Sequence, residues 1–138
     1  MLTRIPFIVF FTFKENLYIS DLQSDIDYKV FSDASLYDSP YDRHTYRYTP
    51  LLSYMMAPNY TLHQCFGKML FSFIDLIATY FIYKIHASSS KPESQRRGYL
   101  FAFMYGFNPL FAYLTDRGSC ESIQTTLMFA FWYFYFGG

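Results

Sequence analysis

Residues 66–85, FGKMLFSFIDLIATYFIYKI, decide the fold class. At about 1.5 Å of rise per residue, a helix of this length matches a hydrocarbon core of about 30 Å. Lys68 and Lys84 stand near its two ends, where long basic side chains reach the interfaces, and Asp75 stands at its centre. Two further apolar blocks follow without a charge: residues 98–114, GYLFAFMYGFNPLFAYL, interrupted in the upper half by Asn108-Pro109, and residues 122–138, SIQTTLMFAFWYFYFGG. Ahead of them, Ile5 to Phe13 is too short to span and is cut off by Lys14, Glu15 and Asn16, so 5–20 reads as a clipped first span. With 17 Phe and 15 Tyr, the chain has more aromatic surface than a water-soluble chain of this size can bury. A mean hydropathy near zero conceals this, because polar and apolar residues come in separate blocks. The expectation is an all-α multispanning membrane protein with three to four transmembrane helices.

Charge sets the topology. Residues 86–97 carry Lys91, Arg96 and Arg97, with Lys84 just before, and this basic loop is cytoplasmic by the positive-inside rule. The loop 21–65 and the turn 115–121 then face the opposite side, the lumen, with spans at 66–85, 98–114 and 122–138. Eleven basic and eleven acidic residues cancel, so no global field points to nucleic acid. Cys65 and Cys120 are too few for a disulfide framework or a zinc site and read as free thiols. A bridge between them is the alternative in an oxidising lumen. Asn59-Tyr60-Thr61 fits the glycosylation pattern but lies close to the next span, which predicts an unmodified sequon.

Two short helices are expected in the lumenal loop. Ser24 followed by Asp27 reads as an N-cap with an acid at the third position, and Ile26, Val30, Ala34 and Tyr37 recur at helical spacing. A second helix begins at Pro50, a residue suited to the first helical position, and stops before Pro58-Asn59.

Four features carry chemistry. Asp25 and Asp27 are either complements of a helix dipole or a carboxylate pair of which Asp25, at the helix threshold, looks into a site above the membrane. The run His44-Thr45-Tyr46-Arg47-Tyr48-Thr49-Pro50 places one guanidinium between two tyrosines; it reads as a phosphate grip or as an interfacial aromatic belt. Asp75, mid-span, marks a helix-pairing or functional position. The turn Thr115-Asp116-Arg117-Gly118-Ser119-Cys120-Glu121-Ser122 brings Arg117 and Glu121 to the lumenal face, either as solvated charges or within reach of Asp25.

Taken in order, SDIDYKVFSDA, SPYDRHTYRYTPLL, APN, GKMLFSFIDL, FNPLF and RGSCESI resemble the first mannosyltransferases of glycosylphosphatidylinositol (GPI) anchor synthesis, across roughly residues 24–126. These are multispanning GT-C glycosyltransferases of the endoplasmic reticulum membrane. The resemblance implies an N-terminal part of a GT-C-like membrane domain, with the active site lumenal. It implies transfer of mannose from dolichyl-phosphate mannose to glucosaminyl-phosphatidylinositol in α1,4 linkage, without a metal or other cofactor, beside a small accessory membrane subunit. Asp25 is then the base and Asp27 its second, while Arg47, Tyr48, Arg117, Glu121 and Lys68 bind substrate. Ser119 departs from the family, which has Asn after Arg-Gly, and the segment before Ser39-Pro40 is shorter than the family's. The competing expectation is a non-catalytic membrane assembly subunit or an inactive fragment. A small transporter built around Asp75 is a weaker third, since no second intramembrane charge pairs with it in the sequence.

Overall fold

In the computed structural model, residues 25–87 and 92–137 are described. The apolar block at 5–13, Ser24 and Lys91 lie outside them. The described residues are helical, with no strand among them: α1 Ile26–Ala34, α2 Pro50–Met56, α3 Pro58–Thr61, α4 Phe66–Ala87, α5 Pro92–Gly106, α6 Pro109–Arg117 and α7 Glu121–Gly137. A single 3-10 turn, Pro40–Asp42, lies between α1 and α2.

Helix α4 is the mast, and α5, α6 and α7 pack along it. Among the described residues it is the one helix long and apolar enough to cross a membrane. Small residues let its neighbours approach closely. A Cβ on Gly98 would lie 2.7 Å from the His86 Cβ, and one on Gly106 would touch the Thr79 side chain at 3.5 Å. Polar pins fix the register. Asp75 is 2% exposed. Its Oδ1 accepts from the Tyr105 hydroxyl of α5 at 3.1 Å and its Oδ2 from the Thr115 hydroxyl of α6 at 2.6 Å. The Thr126 hydroxyl of α7 donates to the Ile74 carbonyl at 3.0 Å. On the outside, Phe73, Phe103, Leu110, Phe131, Phe134, Tyr135 and Phe136 are all exposed, an apolar surface far more continuous than soluble chains display.

The helix limits differ from expectation in two places, while the break at Asn108-Pro109 falls where the sequence puts it. Helix α5 begins at Pro92, so residues 92–97, read as loop, are helical; Pro fits a first turn whose N–H groups have no partner anyway. The block 98–114 is not one helix. Asn108, forced into extended backbone (φ −67°, ψ 120°) by the proline after it, ends α5 and caps α6 through an Oδ1 bond from the Leu110 N–H at 2.9 Å. Helix α6 then runs past 114 to Arg117, which shortens the expected 115–121 turn.

In the loop, α1 and α2 form where expected, but the cap of α1 is Asp25, not Ser24. Asp25 has extended dihedrals and its Oδ1 accepts from the Asp27 N–H at 3.4 Å, the role that Ser24 was given. The buried face also differs. Ile26 is 78% exposed, while Tyr28, Val30, Phe31 and Ala34 are buried against Tyr46, Leu52, Met56 and Phe71. Two aromatic rings remove more surface from water than Ile26 would, and they set the helix rotation.

Two devices tie this loop unit to α4. The first is Asn59, 4% exposed. Its Nδ2 donates to the Ser32 hydroxyl of α1 at 2.6 Å, and its Oδ1 accepts from the Gly67 N–H at 2.8 Å, satisfying a first-turn donor of α4. The second is the Tyr28 ring, which lies between two glycines. A Cβ on Gly67 would meet the Tyr28 hydroxyl oxygen at 2.8 Å, and one on Gly118 would meet the ring Cγ at 2.6 Å. Gly118 is also left-handed, at φ +84°, where it closes α6 with bonds from its own N–H to Thr115 and from the Ser119 N–H to Leu114.

Asn59→Ala is expected to destabilise the protein by about 1–3 kcal/mol in chemical denaturation, because it strands the Gly67 N–H in the interior. The wild-type sequon should carry no glycan, and an endoglycosidase-sensitive mass increment mapped to Asn59 would contradict this placement. Gly118→Ala should cost at least about 2 kcal/mol, combining left-handed backbone strain with displacement of Tyr28. Gly118→Asn, which tolerates the backbone but not the ring, should cost nearly as much; an unchanged unfolding midpoint for either variant would refute the clamp.

Candidate active site

The clamp on Tyr28 decides what stands above it. Because Gly118 rests on this ring, the end of α6 meets the start of α1, and the Asp25 N–H donates to the Arg117 carbonyl at 2.9 Å. The same approach brings the side chains together: Arg117 Nη2 lies 3.6 Å from Asp25 Oδ2, with 40% of the arginine side chain and 31% of the aspartate side chain exposed. The Arg117 guanidinium carbon also stands 5.9 Å from the centre of the Tyr113 ring, one turn back on α6.

Asp27 is exposed, and the Tyr48 hydroxyl donates to its Oδ2 at 2.8 Å. Tyr48 is placed by its ring, edge-on to Phe31 at 4.6 Å and to Tyr46 at 5.9 Å. Tyr46 in turn is buried and donates its hydroxyl to the Thr49 carbonyl at 2.6 Å. The run TYRYTP therefore divides its work: the first tyrosine goes into the core and the second holds an acid. The bond to Asp27 and burial, in that order, push the Tyr48 hydroxyl up to about 12.

The remaining residues expected at a site take different positions. Glu121 is exposed at the first position of α7. Burial first, then the charges of Asp27, Glu121 and Asp25, raise the Cys120 thiol. Arg47 turns its guanidinium onto its own loop, donating to the His44 and Tyr46 carbonyls, each at 2.9 Å. Lys68 is only 2% exposed, with its Nζ 5.8 Å from the Tyr28 ring centre. Cys65 and Cys120 are free thiols. Asp25, Asp27, Tyr48 and Arg117 thus form one surface-open group, with Glu121 and Cys120 beside it.

Sequence reasoning missed Tyr28, Asn59 and the partnership of Tyr48 with Asp27. The motif DIDY contains Tyr28, yet nothing in its spacing marks it as the wedge between two distant glycines. Chemically, the group offers a half-exposed carboxylate able to accept a proton and an adjacent guanidinium able to take negative charge. A second carboxylate is held by a phenol.

The Tyr48 proton carries a pH signature. Its folded-state pKa lies above the unfolded value of about 10, so its stabilisation is complete below pH 10 and is lost as the pH rises toward 12. The tyrosinate absorbance difference between wild type and Tyr48→Phe should titrate near about 12, and Asp27→Asn should bring it down toward about 10. A wild-type difference curve centred near about 10 would contradict the Asp27 bond.

Comparison with known proteins places this sequence in a family. The sequence profile described as GPI transamidase subunit PIG-U matches residues 32–137. GPI mannosyltransferase 1 of Dictyostelium discoideum is 35% identical over 139 residues, which covers 97% of this chain and 31% of that protein. GPI mannosyltransferase 1 of Schizosaccharomyces pombe is 41% identical over 114 residues, 80% of this chain and 30% of that protein. The Kluyveromyces lactis protein of the same name is 37% identical over 139 residues, 97% of this chain and 34% of its own length. This chain therefore spans about a third of the length of the curated relatives it matches. No solved structure matches it. The chain belongs to the family described as GPI transamidase subunit PIG-U, and the resemblance carried by DIDY and TYRYTPLL is to the first mannosyltransferase of GPI-anchor synthesis.

Proposed function

We propose that the protein to which this chain corresponds transfers mannose from dolichyl-phosphate mannose to glucosaminyl-phosphatidylinositol, in α1,4 linkage, at the lumenal face of the endoplasmic reticulum membrane. The observation that carries the reading is the Asp25 carboxylate, fixed at a helix threshold with the Arg117 guanidinium 3.6 Å away. A β-linked donor and an α-linked product require inversion, a single displacement with one base. In this reading Asp25 takes the acceptor hydroxyl proton and Asp27, oriented by Tyr48, supports it. Arg117 faces the phosphate as negative charge develops on it, with Arg47, Glu121 and Lys68 further out or beneath. Both substrates are lipids with phosphate at the membrane surface, which agrees with a site at one end of an apolar bundle. The exposed aromatic faces of α4, α5 and α7 suit lipid, the rest of a multispanning GT-C-type domain, and a small accessory membrane subunit.

A second reading is favoured by the family description: an assembly subunit of the machinery that attaches GPI anchors, with no transfer chemistry of its own. The decisive variant is Asp25→Asn in the full-length protein. Asparagine caps a helix as well as aspartate does, so the fold is retained while the base is lost. Mannose transfer should fall about 10²–10⁴-fold with an unchanged unfolding midpoint. Transfer at the wild-type rate would sink the role given to Asp25. A wild-type protein that transfers no mannose, yet is required to join finished anchors to proteins, would establish the second reading instead.

A further inference from the structure

The two oxygens of Asp25 have separate duties. Oδ1 caps α1 at 3.4 Å from the Asp27 N–H, and Oδ2 faces Arg117 at 3.6 Å. That second contact is loose, since a charge-assisted N–H···O bond closes to about 2.7–2.9 Å. The same loop unit contains a tight pair for comparison, Arg43 to Asp33 at 2.7 Å. The Asp25 N–H already holds the Arg117 carbonyl at 2.9 Å, and Gly118 and Tyr28 lock the junction. The backbone of this pair is clamped while its charged ends stay part-exposed and poorly joined.

From this contrast, and resting on the mannosyltransferase reading, we infer that the Asp25–Arg117 ion pair is exchanged during turnover: a lipid phosphate takes Arg117 and thereby frees Asp25 Oδ2 to act as the base. The guanidinium has a surface to pivot on, the Tyr113 ring at 5.9 Å, and it swings without moving Asp25, whose backbone and Oδ1 are held independently. Phosphate is the ligand this arginine selects, because a planar fork matches two phosphate oxygens. Charge makes the exchange necessary. Asp25 and Asp27 stand two residues apart at the start of α1, so an anion gains a foothold only where a cation turns to meet it.

The step balances. The acceptor O–H bond breaks and its proton passes to Asp25 Oδ2, while the acceptor oxygen forms the new bond to the mannose anomeric carbon. The bond from that carbon to the phosphate oxygen breaks with its electron pair, leaving dolichyl phosphate with one further negative charge opposite Arg117. Until a phosphate is present, the same arginine stays 3.6 Å from the oxygen the proton needs, and its charge disfavours protonation there.

The exchange is testable without turnover, by binding dolichyl phosphate, the leaving group, to the full-length protein in lipid nanodiscs. Arg117→Gln should weaken binding about tenfold or more, since it removes a charge-assisted bidentate contact. Asp25→Asn should tighten it severalfold by releasing Arg117, and the double variant should bind like Arg117→Gln alone. An unchanged affinity in Arg117→Gln would overturn the inference. So would an equal tightening by Asp25→Asn in both backgrounds, because the acid would then act through simple repulsion rather than through the arginine. The same measurement with phosphatidylinositol separates the sources: the pattern appearing there alone would support the exchange and assign the phosphate to the acceptor. Unfolding midpoints exclude misfolded variants. The full binding pattern in a protein that transfers no mannose would uphold the exchange while overturning the mannosyltransferase reading.

Discussion

Tyr28 occupies a slot that only two glycines leave open. Its ring separates Gly67, in the first turn of α4, from Gly118, the left-handed stop of α6. The hydroxyl at the far end of the ring donates to the Gln64 carbonyl at 2.7 Å, and Phe71 meets the ring edge-on at 6.5 Å. Burial raises this phenol well above its ordinary range, so the ring stays neutral wherever the protein is folded. One side chain thus fixes three elements that are far apart in sequence. The positions of Asp25 and Arg117 follow, since each lies next to a part of this contact: Asp25 one turn before Tyr28, and Arg117 immediately before Gly118.

The bundle below obeys a different constraint. Its outer surface is aromatic and its helices touch through glycine and alanine, an arrangement that gives little resistance to sliding when the surroundings are also apolar. Directional bonds therefore set the register. Asp75 receives hydroxyls from α5 and α6, and Thr126 ties α7 to the Ile74 carbonyl of α4. A carboxylate buried this deeply is costly unless its oxygens are satisfied, and here both are. Alignment of α6 on α4 is what Asp75 contributes, and the transporter reading loses its motive once this carboxylate is seen to be occupied in holding helices together.

The sequence was most legible where a local rule acts within a few residues. Pro50 starts α2 and Asn108-Pro109 breaks the third apolar block, because a proline restricts its own backbone and that of the residue before it. The block 66–85 is a long helix because length and composition leave little alternative. Legibility failed where a distant partner chose between equal local options. Ser24 and Asp25 are both good caps, and the bond from the Asp25 N–H to the Arg117 carbonyl places the extended residue at 25. Ile26 fits the helical period as well as Tyr28 does, but the two glycines that admit Tyr28 lie 39 and 90 residues further along the chain. At the site, topology left Arg117 either solvated or within reach of Asp25, and it lies beside Asp25, whereas the Tyr48 bond to Asp27 had no local signature.

Helix α6 joins the two constraints. Thr115 and Arg117 are two residues apart, so on a helix with about 3.6 residues per turn they project from nearly opposite sides. Thr115 is buried and bonded to Asp75, while Arg117 is half-exposed beside Asp25. The inward residue fixes the rotation of the helix, and the outward residue inherits it. A one-residue slip would turn Arg117 by about 100° and move its guanidinium off Asp25. The Gly118 stop prevents a compensating extension of the helix, because the chain must leave at Tyr28. Asp75 belongs to the bundle, where Tyr105 and Thr115 donate to it. Through Thr115 it nonetheless sets which way the arginine points, and this gives the carboxylate at the centre of α4 a physical task.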